Sequence, residues 1–344
     1  MRRILVTGAL GQIGRDLTDR LRGLYGHDAV MATDIRNDQS ETAMSGPFRP
    51  VDVTDGLALY EAAKDHRADA IIHLAALLSA TAESKPMLAW RLNMGGQLNA
   101  LEASRSLGCQ LFTPSSIAAF GPGAPKKDTP QDTLQRPSTM YGISKVSGEL
   151  LCDYFFHKYG IDTRGLRFPG LISHAAPPGG GTTDFAVDMY VSAVKSGKYA
   201  SYIGKGTFLD MMYMPDAVES VIKLMEADAS RLKHRNAFNV TAMSVDPEAI
   251  ASSIRRHVPD FELQYRIDPL RQAIADGWPD AIDASAAREE WGFNAAYDLD
   301  KMTDDMLSSL SGKPLYGDNG AILLSSHAGQ DCRPRSDKYS DGVL

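Results

Sequence analysis

The stretch that decides the fold reads RILVTGALGQIG and spans residues 3–14. Residues 3–7 form a short, mostly apolar and β-branched run, which predicts a buried parallel strand. Gly8, Gly11 and Gly14 follow at intervals of three residues and predict a tight turn into a helix. In such a turn, backbone amides and the helix dipole face an anion, typically the pyrophosphate of a dinucleotide. A glycine turn without a ligand has the same local sequence, so the motif needs support from its context.

The chain after this turn alternates between predicted helices and predicted strands. Ile13, Leu17 and Leu21 repeat at the spacing of one helix face over residues 12–23. Patterns further along predict strands over residues 29–34, 70–74, 110–114 and 163–168, and helices over residues 57–67, 85–107 and 141–159. This alternation predicts an α/β fold with a doubly wound parallel sheet of the Rossmann type, covered by helices on both faces.

Three regions of different character divide the chain. Residues 1–168 carry the alternation and are expected to form the dinucleotide-binding Rossmann domain. Residues 169–315 are less regular and predict a smaller mixed lobe for the substrate, with segments that return to the main sheet. Residues 316–344 are polar and contain glycines, which predicts a loosely held tail. Within the lobe, the patterns predict a helix over residues 182–196 and strands over residues 237–241 and 261–267.

The composition is that of an ordinary globular protein. The chain has 344 residues, 43% hydrophobic and 23% charged, which excludes disordered and collagen-like classes. Lys and Arg number 36 and Asp and Glu 43, so the net charge is −7, the pI is about 5.6, and nucleic-acid binding is not expected. Cys109, Cys152 and Cys332 are far apart, which predicts neither a disulfide framework nor a metal site. A reducing compartment, the cytoplasm, is the expected location.

Neither a signal peptide nor a membrane span is predicted. After Arg2 and Arg3, only about four apolar residues precede Gly8. A signal peptide needs an apolar stretch of about 7 to 15 residues, and a spanning helix needs about 20. We therefore expect no membrane partner.

Asp34 lies at the end of the second predicted strand, 20 residues beyond Gly14. The dinucleotide fingerprint places an acidic residue at this distance, where its carboxylate accepts hydrogen bonds from ribose hydroxyls and repels a 2′-phosphate. The spacing therefore favours NAD over NADP as the cofactor. Arg36 leaves the alternative open, because a cation two residues further on can accommodate a phosphate. A solvated turn at the strand end is the other interpretation of Asp34.

Tyr141 and Lys145 stand four residues apart on a predicted helix, and therefore on one face of it. A tyrosine with a pKa of about 10 is a poor base at neutral pH, but an adjacent ammonium stabilises its phenolate. Ser116 follows a predicted apolar strand, at the edge where doubly wound sheets bind ligands. Its hydroxyl is suited to bonding a substrate oxygen during hydride transfer. These three residues form the candidate catalytic set, although a YxxxK pair also arises by chance on helix surfaces.

Taken together, these motifs resemble the extended short-chain dehydrogenase/reductase superfamily, which includes NAD-dependent epimerases and dehydratases. The likeness covers about residues 3–310. It rests on the glycine turn, Asp34, Asp52-Val53, the HLAA segment at residues 73–76, Ser116, and the Tyr141 and Lys145 pair.

The superfamily resemblance implies further contacts with the cofactor. Asp52 and Val53 are expected to flank the adenine, residues 74–76 to run beside the phosphates and ribose, and Asn93 to support the site. The full set of implied cofactor contacts is Gly8, Gly11, Gln12, Ile13, Gly14, Asp34, Ile35, Arg36, Asp52, Val53, Leu74, Ala75, Ala76, Asn93, Tyr141, Lys145 and Leu171.

Three other segments are similar to the short-chain family of L-threonine 3-dehydrogenases. They lie within residues 77–83, 167–186 and 278–292. The resemblance implies L-threonine as the small-molecule substrate and a homodimer in which the predicted helices 85–107 and 141–159 form a four-helix contact. The apolar faces of those helices equally fit an internal core.

The segment GGGTTD at residues 179–184 suits an amino-acid substrate. Consecutive amides of the three glycines can face a carboxylate, and Thr182 and Thr183 add hydroxyls at a predicted helix start, where the dipole favours an anion. Asp184 either faces the ammonium group or caps its own helix. A turn that binds nothing is the alternative, and Trp278 and Trp291 are expected in packing. The expected substrate contacts are Ser79, Thr81, Ser116, Tyr141, Gly180, Thr182, Thr183 and Asp184.

The expected reaction is oxidation of L-threonine to L-2-amino-3-oxobutanoate with hydride transfer to NAD. Tyr141 as a phenolate takes the proton of the β-hydroxyl, Lys145 lowers the tyrosine pKa and binds the nicotinamide ribose, and Ser116 stabilises the reacting oxygen. A sugar-nucleotide epimerase or dehydratase would use the same tyrosine and lysine, but the lobe shows only scattered lysines for a diphosphate. A redox-sensing binding protein is the third possibility, and such proteins often lack the tyrosine or the lysine.

Overall fold

The computed structural model describes residues 1–37, 39–175 and 180–312. The predicted tail, residues 316–344, and Gly179 lie outside the described residues. The strands are β1 (Ile4–Thr7), β2 (Val30–Asp34), β3 (Phe48–Pro50), β4 (Ala70–His73), β5 (Gln110–Phe112), β6 (Ser115–Ser116), β7 (Thr163–Arg164), β8 (Leu166–Phe168), β9 (Gly170–Ile172), β10 (Lys198–Ser201), β11 (Leu209–Tyr213), β12 (Phe238–Asn239), β13 (Met243–Val245) and β14 (Glu262–Tyr265).

The helices begin directly after the glycine turn. They are α1 (Gln12–Tyr25), α2 (Glu41–Met44), α3 (Gly56–Asp65), α4 (Ser79–Ser84), α5 (Pro86–Trp90), α6 (Gly96–Leu107), α7 (Met140–Tyr159), α8 (Phe185–Lys195), α9 (Met214–Glu226), α10 (Pro247–Arg255), α11 (Pro269–Asp276), α12 (Ser285–Trp291) and α13 (Leu299–Ser311). No helix in the described ranges combines the length and apolarity needed to cross a membrane.

Six parallel strands form the main sheet, in the order β3-β2-β1-β4-β5-β7. The chain runs outward from β1 to β3 and then returns to the other side of β1 with β4. The strand order therefore reverses between β1 and β4, and the crevice at their carboxyl ends is where doubly wound sheets bind ligands. The predicted Rossmann-type fold is confirmed.

Helices cover both faces of this sheet, as the apolar strand sequences predict. Ile4 and Val6 pack on one face with Leu17 of α1, whereas Leu5 packs on the other face with Leu101 of α6. Successive side chains of a strand point to opposite faces, so β1 is buried on both. Each such side chain contributes about 1.5 to 3 kcal/mol by leaving water.

The second half of the chain lies beside the carboxyl ends of the strands and has its own small sheets. β9, β11 and β13 form one sheet, and β10 pairs with β14. β12 pairs in parallel with β8, which pairs in parallel with β6. A segment of the second half thus pairs with β8, the strand that follows β7 along the chain.

Two predicted elements are interrupted in the structure. The helix predicted over residues 85–107 consists of α5, a π-helical turn at Arg91–Gly95 and α6, because the turn widens around Asn93. π-Helical turns of this kind are frequent at functional sites. The strand predicted over residues 163–168 breaks at Gly165, whose amide donates to the Arg235 carbonyl at 2.8 Å.

Candidate active site

A cavity of about 420 Å³ extends from the glycine turn to the start of α7 and the residues before α8. It brings together predicted residues that are up to about 175 positions apart in the chain. The predicted site residues that line it are Gly8, Gly11, Gln12, Ile13, Gly14, Arg36, Leu74, Ala76, Ser79, Ser116, Tyr141, Lys145, Leu171, Thr182, Thr183 and Asp184.

The glycine turn at one end of the cavity has the form of a phosphate cradle. Gly8 has a φ of +65°, and a Cβ atom there would lie 2.8 Å from the Ala75 nitrogen. A Cβ atom on Gly14 would lie 2.2 Å from the Gly8 carbonyl oxygen, so helix and turn touch through backbone. Within the described residues, no side chain caps the first turn of α1, and the buried Gln12 Nε2 has no hydrogen-bond partner. Free donors at a helix start fit a dinucleotide pyrophosphate.

Asp34 lies at the end of β2, where its carboxylate is almost completely buried. Oδ2 accepts a hydrogen bond from the Leu10 amide at 3.1 Å, and Oδ1 accepts one from Arg36 Nε at 3.0 Å. The Arg36 guanidinium thus pairs with Asp34 at the edge of the cavity. Ile35 between them is 67% exposed and does not line the cavity.

Asp52 and Val53 form a turn before α3, outside the lining of the cavity. The exposed Asp52 carboxylate accepts a hydrogen bond from the Thr54 hydroxyl at 2.7 Å. Val53 is buried, and its carbonyl accepts a hydrogen bond from Asn99 at 2.9 Å. Contact between these two residues and an adenine ring remains a prediction.

Asn93 holds the loop that follows β4. Its Oδ1 accepts from the Leu77 amide at 2.8 Å, and its Nδ2 donates to the Leu77 carbonyl at 3.2 Å and to Ser144 Oγ at 3.3 Å. The same loop presents Leu74 and Ala76 to the cavity, and Ala75 packs against Gly8. Asn93 therefore connects the loop beside the glycine turn to α7.

Ser116, Tyr141 and Lys145 meet at the centre of the cavity. Thr139 caps α7 by accepting from the Gly142 amide at 3.1 Å, which starts the helix immediately before Tyr141. Lys145 Nζ lies 5.3 Å from the centroid of the Tyr141 ring and donates to the Pro114 carbonyl at 2.7 Å. Ser116 lies near the Tyr141 phenol and favours its phenolate. The structure thus assembles the three predicted catalytic side chains.

The protonation of these groups differs from the expectation. Burial raises the pKa of the Tyr141 phenol to about 12, and the hydrogen bond from Ser116 opposes this rise. Burial also lowers the pKa of Lys145 to about 8, opposed by Glu149 and Cys152. The expected lowering of the tyrosine pKa by Lys145 is therefore absent here, because burial dominates and the ammonium bonds a backbone carbonyl instead of the phenol oxygen.

The residues expected to bind substrate close the other end of the cavity. Ser79 Oγ lies 3.1 Å from Thr182 Oγ1, so α4 and the short 3₁₀ helix Thr182–Asp184 meet through hydroxyls. Thr183 lines the cavity beside them. Thr81 does not line it, but its hydroxyl lies against Gly180, which has a φ of +90°.

The expectation that glycine amides are available to a carboxylate is wrong for the described glycines. The Gly180 and Gly181 amides donate to Asp184 Oδ2 at 2.9 and 2.7 Å, and the Thr182 amide donates to Ser79 Oγ at 3.2 Å. Asp184 thus binds its own loop, which favours the capping interpretation over an ammonium contact. Burial raises the pKa of its carboxyl, and the two glycine amides oppose this rise.

Arg15 and Trp278 are among the residues that line the cavity without having been assigned to the site from the sequence. Arg15 follows Gly14 on α1, and its Nε donates to the Leu10 carbonyl at 3.2 Å. The sequence signal for Arg15 is its position directly after Gly14, where a cation faces the expected phosphates. Trp278 belongs to the hydrophobic core, as expected, but it also lines the cavity. Lys126 Nζ holds its loop by donating to the Trp278 carbonyl at 2.5 Å.

Known proteins share both this sequence and this fold. Residues 4–241 match the NAD dependent epimerase/dehydratase family. An uncharacterized epimerase/dehydratase of Staphylococcus haemolyticus is 56% identical over 314 residues, which cover 91% of this chain and 99% of that protein. The structure of L-threonine dehydrogenase from Clostridium difficile is 59% identical with a TM-score of 0.89, covering 91% of this chain and 98% of that one.

A second dehydrogenase structure, determined in its holo form, is also similar to this chain. This L-threonine dehydrogenase from Cupriavidus necator is 45% identical with a TM-score of 0.87, covering 90% of this chain and 99% of that chain. The resemblance to L-threonine 3-dehydrogenases that the motifs predicted is thereby confirmed, and a nicotinamide cofactor is implied. The chain belongs to the NAD-dependent epimerase/dehydratase family of enzymes.

Proposed function

We propose that the chain is an NAD-dependent L-threonine 3-dehydrogenase, which oxidises L-threonine to L-2-amino-3-oxobutanoate. The observation that carries this proposal is the single cavity that joins the glycine turn, the Ser116, Tyr141 and Lys145 set, and the hydroxyls before α8. A dinucleotide and a small hydroxylated amino acid both find suitable groups along it. The likeness to L-threonine dehydrogenases supports the same substrate.

The substrate end offers hydroxyls to the carboxylate of an amino acid. Ser79, Thr182 and Thr183 line it together, and hydroxyls donate hydrogen bonds to a carboxylate without carrying charge. Asp184 keeps the Gly180 and Gly181 amides in place and so shapes the loop on which the threonines stand. We therefore assign substrate recognition to hydroxyls instead of glycine amides.

The catalytic centre removes a proton while a hydride leaves the same alcohol. Tyr141 accepts the proton of the β-hydroxyl, and Ser116 bonds the oxygen as it becomes a carbonyl. NAD, when bound, supplies the oxidised nicotinamide that accepts the hydride and whose positive charge favours the phenolate. Lys145, as an ammonium, holds the nicotinamide ribose.

Asp34 makes NAD the proposed cofactor. Its buried carboxylate stands where the ribose hydroxyls of the adenosine half are read in this fold. Arg36 pairs with it at 3.0 Å, so the positive charge that would favour a 2′-phosphate is balanced by Asp34. An exposed arginine without this partner would favour NADP instead.

Net formation of NADH with L-threonine tests the proposed function. We expect absorbance of NADH to accumulate with L-threonine and NAD, and to accumulate much more slowly with L-allo-threonine, L-serine, D-threonine or NADP. A sugar-nucleotide epimerase would keep its cofactor bound and return it oxidised after each turnover. Absence of NADH release with every β-hydroxy amino acid in this panel would overturn the proposal.

A further inference from the structure

The Glu149 carboxylate is buried on α7 and has no part in the proposed reaction. It is 5% exposed and lies one helical turn beyond Lys145. Arg167 pairs with it through two hydrogen bonds, from Nε at 3.0 Å and from Nη2 at 2.9 Å. Gln135 Nε2 donates to Oε2 at 2.8 Å, and the Ser115 hydroxyl donates to Oε1. A buried carboxylate with this many donors is held at a fixed position.

Arg167 is anchored equally firmly on β8. Its Nη1 donates to the Gln131 carbonyl at 2.7 Å and to Asn239 Oδ1 at 3.2 Å. Its guanidinium carbon lies 5.0 Å from the centroid of the Phe120 ring. The arginine therefore remains on the side of Glu149 that faces β8 and β12.

The segment Pro114 to Ser116 contacts α7 through three successive turns of the helix. Lys145 donates to the Pro114 carbonyl, Glu149 accepts from the Ser115 hydroxyl, and Tyr141 lines the same cavity as Ser116. Because the three helix residues recur every four positions, they share one face. The pair of Glu149 and Arg167 thus fixes the position of Ser115, the residue directly before Ser116.

The charges around Lys145 come from two elements. His73 on β4 faces it, and burial with the Lys145 charge lowers the pKa of that imidazole to about 3, so the ring is neutral. On α7 the groups are Tyr141, Glu149 and Cys152, and burial raises the pKa of the thiol to about 11. Among these groups, Glu149 is the carboxylate, and its Coulombic interaction favours the ammonium form of Lys145.

We propose that Glu149 is a positioning residue of the active site, which stabilises the ammonium form of Lys145 and fixes Ser115 beside Ser116 while Arg167 holds it in place. The inference rests on the proposed function only in its prediction that kcat with L-threonine decreases. Its electrostatic part concerns this chain's own residues and is measurable on the protein without substrate.

The test is the titration of the Lys145 side chain, followed by NMR of protein labelled at lysine. The Lys145 resonance is the one that disappears in Lys145→Met. Glu149→Gln keeps the shape of the side chain and removes its charge, so the midpoint should move down by about one pH unit. Glu290→Gln is the matched control. This carboxylate is also buried, but it lies on α12 and pairs with His234. There the midpoint should not move.

A second variant covers the case in which Glu149→Gln leaves Arg167 unpaired and fails to fold. Glu149→Gln with Arg167→Gln removes both charges and should again lower the lysine midpoint. An unchanged midpoint in whichever of the two folds would overturn the proposal.

Activity separates the electrostatic inference from the proposed function. In Glu149→Gln, kcat with L-threonine should fall about fivefold at pH 8, because lowering the lysine midpoint from about 8 to about 7 reduces the ammonium fraction from about a half to about a tenth. The loss should be smaller at pH 6.5, whereas a purely structural defect would lower kcat equally at both. A shifted lysine midpoint in a protein inactive on threonine even without substitution would refute the proposed function and leave the electrostatic role of Glu149 intact.

Discussion

Tyr141 is subject to opposing influences that decide when it can act as a base. Burial raises the pKa of its phenol to about 12, while the hydrogen bond from Ser116 stabilises the phenolate. A phenol with such a pKa is almost entirely protonated at neutral pH. The rate of the proposed reaction therefore depends on nearby positive charge that favours the phenolate in the complex.

Replacing Tyr141 by Phe removes the proton acceptor without changing the shape of the cavity. We expect turnover with L-threonine to fall by at least about a hundredfold, because general base catalysis contributes on this scale. NADH binding, measured by fluorescence, should remain nearly unchanged. Tyr154→Phe, an exposed tyrosine on the same helix, is the control and should retain full turnover. Undiminished turnover in Tyr141→Phe would remove the tyrosine from its role.

The protonation of Lys145 should determine how cofactor binding depends on pH. Burial lowers the pKa of its ammonium to about 8, so the charged donor is present below that pH and is lost as pH rises through it. The affinity for NADH should therefore decrease between about pH 7 and pH 9, as followed by fluorescence titration. In Lys145→Met, binding should be weaker at pH 7 and should no longer change over this range. A constant affinity of the unsubstituted enzyme between these pH values would contradict the proposed ribose contact.

Asp34 decides the choice between the two nicotinamide cofactors. Asp34→Ser removes the carboxylate that pairs with Arg36 and, with it, the repulsion of a 2′-phosphate. The ratio of kcat/KM for NAD to that for NADP should fall by about tenfold or more, since a hydrogen bond to a charged group contributes roughly 1.5 to 3 kcal/mol. Asp28→Ser, at an exposed position before β2, should leave the ratio as it was. The same ratio in both variants would count against the assignment of Asp34.

At the scale of elements, the approach of α1 to the end of β1 makes the cradle. The helix begins with Gln12, and its backbone comes close enough to the turn that a Cβ atom on Gly14 would overlap the Gly8 carbonyl. The free amides of the first turn then lie at the floor of the cavity. The glycine spacing is thus a requirement of packing between helix and turn as well as of ligand approach.

The two glycines of α1 allow a matched comparison. Gly14→Ala should weaken NADH binding by at least about tenfold and lower the melting temperature, because the methyl group displaces the turn. Gly23→Ala adds a methyl group where no atom lies within 4 Å, and should stabilise the protein by about 0.5 to 1 kcal/mol. Calorimetry and NADH fluorescence measure the two effects. Equal NADH affinity in the two variants would contradict the close approach at Gly14.

Local sequence patterns predicted the elements of the main sheet because each of these elements is encoded by nearby residues. The apolar run of β1, the glycine turn and the amphipathic helix α1 are legible within residues 3–23. The π-helical turn at Arg91–Gly95 was not predicted, since it depends on Asn93 reaching the loop after β4. The helices α9 to α13 were not predicted either. Local signals for two of them are present in the sequence, since Asp246 caps α10 before Pro247 and Asp268 caps α11 before Pro269.

At the scale of the whole molecule, α6 and α7 bury one face and expose another. Leu101 and Phe155 belong to the core beside the main sheet, whereas Leu98 and Leu150 are exposed on the outer side. The internal-core interpretation of these helices therefore explains only their inner faces. The outer leucines fit the homodimer contact expected from the family resemblance.

This contact predicts a dimer that a single charge disrupts. Sedimentation should show the unsubstituted chain as a dimer and Leu150→Glu as a monomer, because a buried carboxylate in an apolar interface is strongly unfavourable. Leu270→Glu changes a leucine of similar exposure on α11 and should leave the dimer intact. A monomeric unsubstituted chain would refute the four-helix contact.

The sequence by itself determined the doubly wound fold and the positions of the glycine turn, Asp34, and the Ser116, Tyr141 and Lys145 set. Each of these depends on spacing along the chain, because a regular helix or strand fixes which residues at a given spacing share a face. Only the tertiary structure decided three other features: the hydrogen bond from the Gly180 amide to Asp184, the raised pKa of Tyr141 and the surroundings of Glu149. They follow from burial and from contacts between distant segments, and both arise only when the chain has folded.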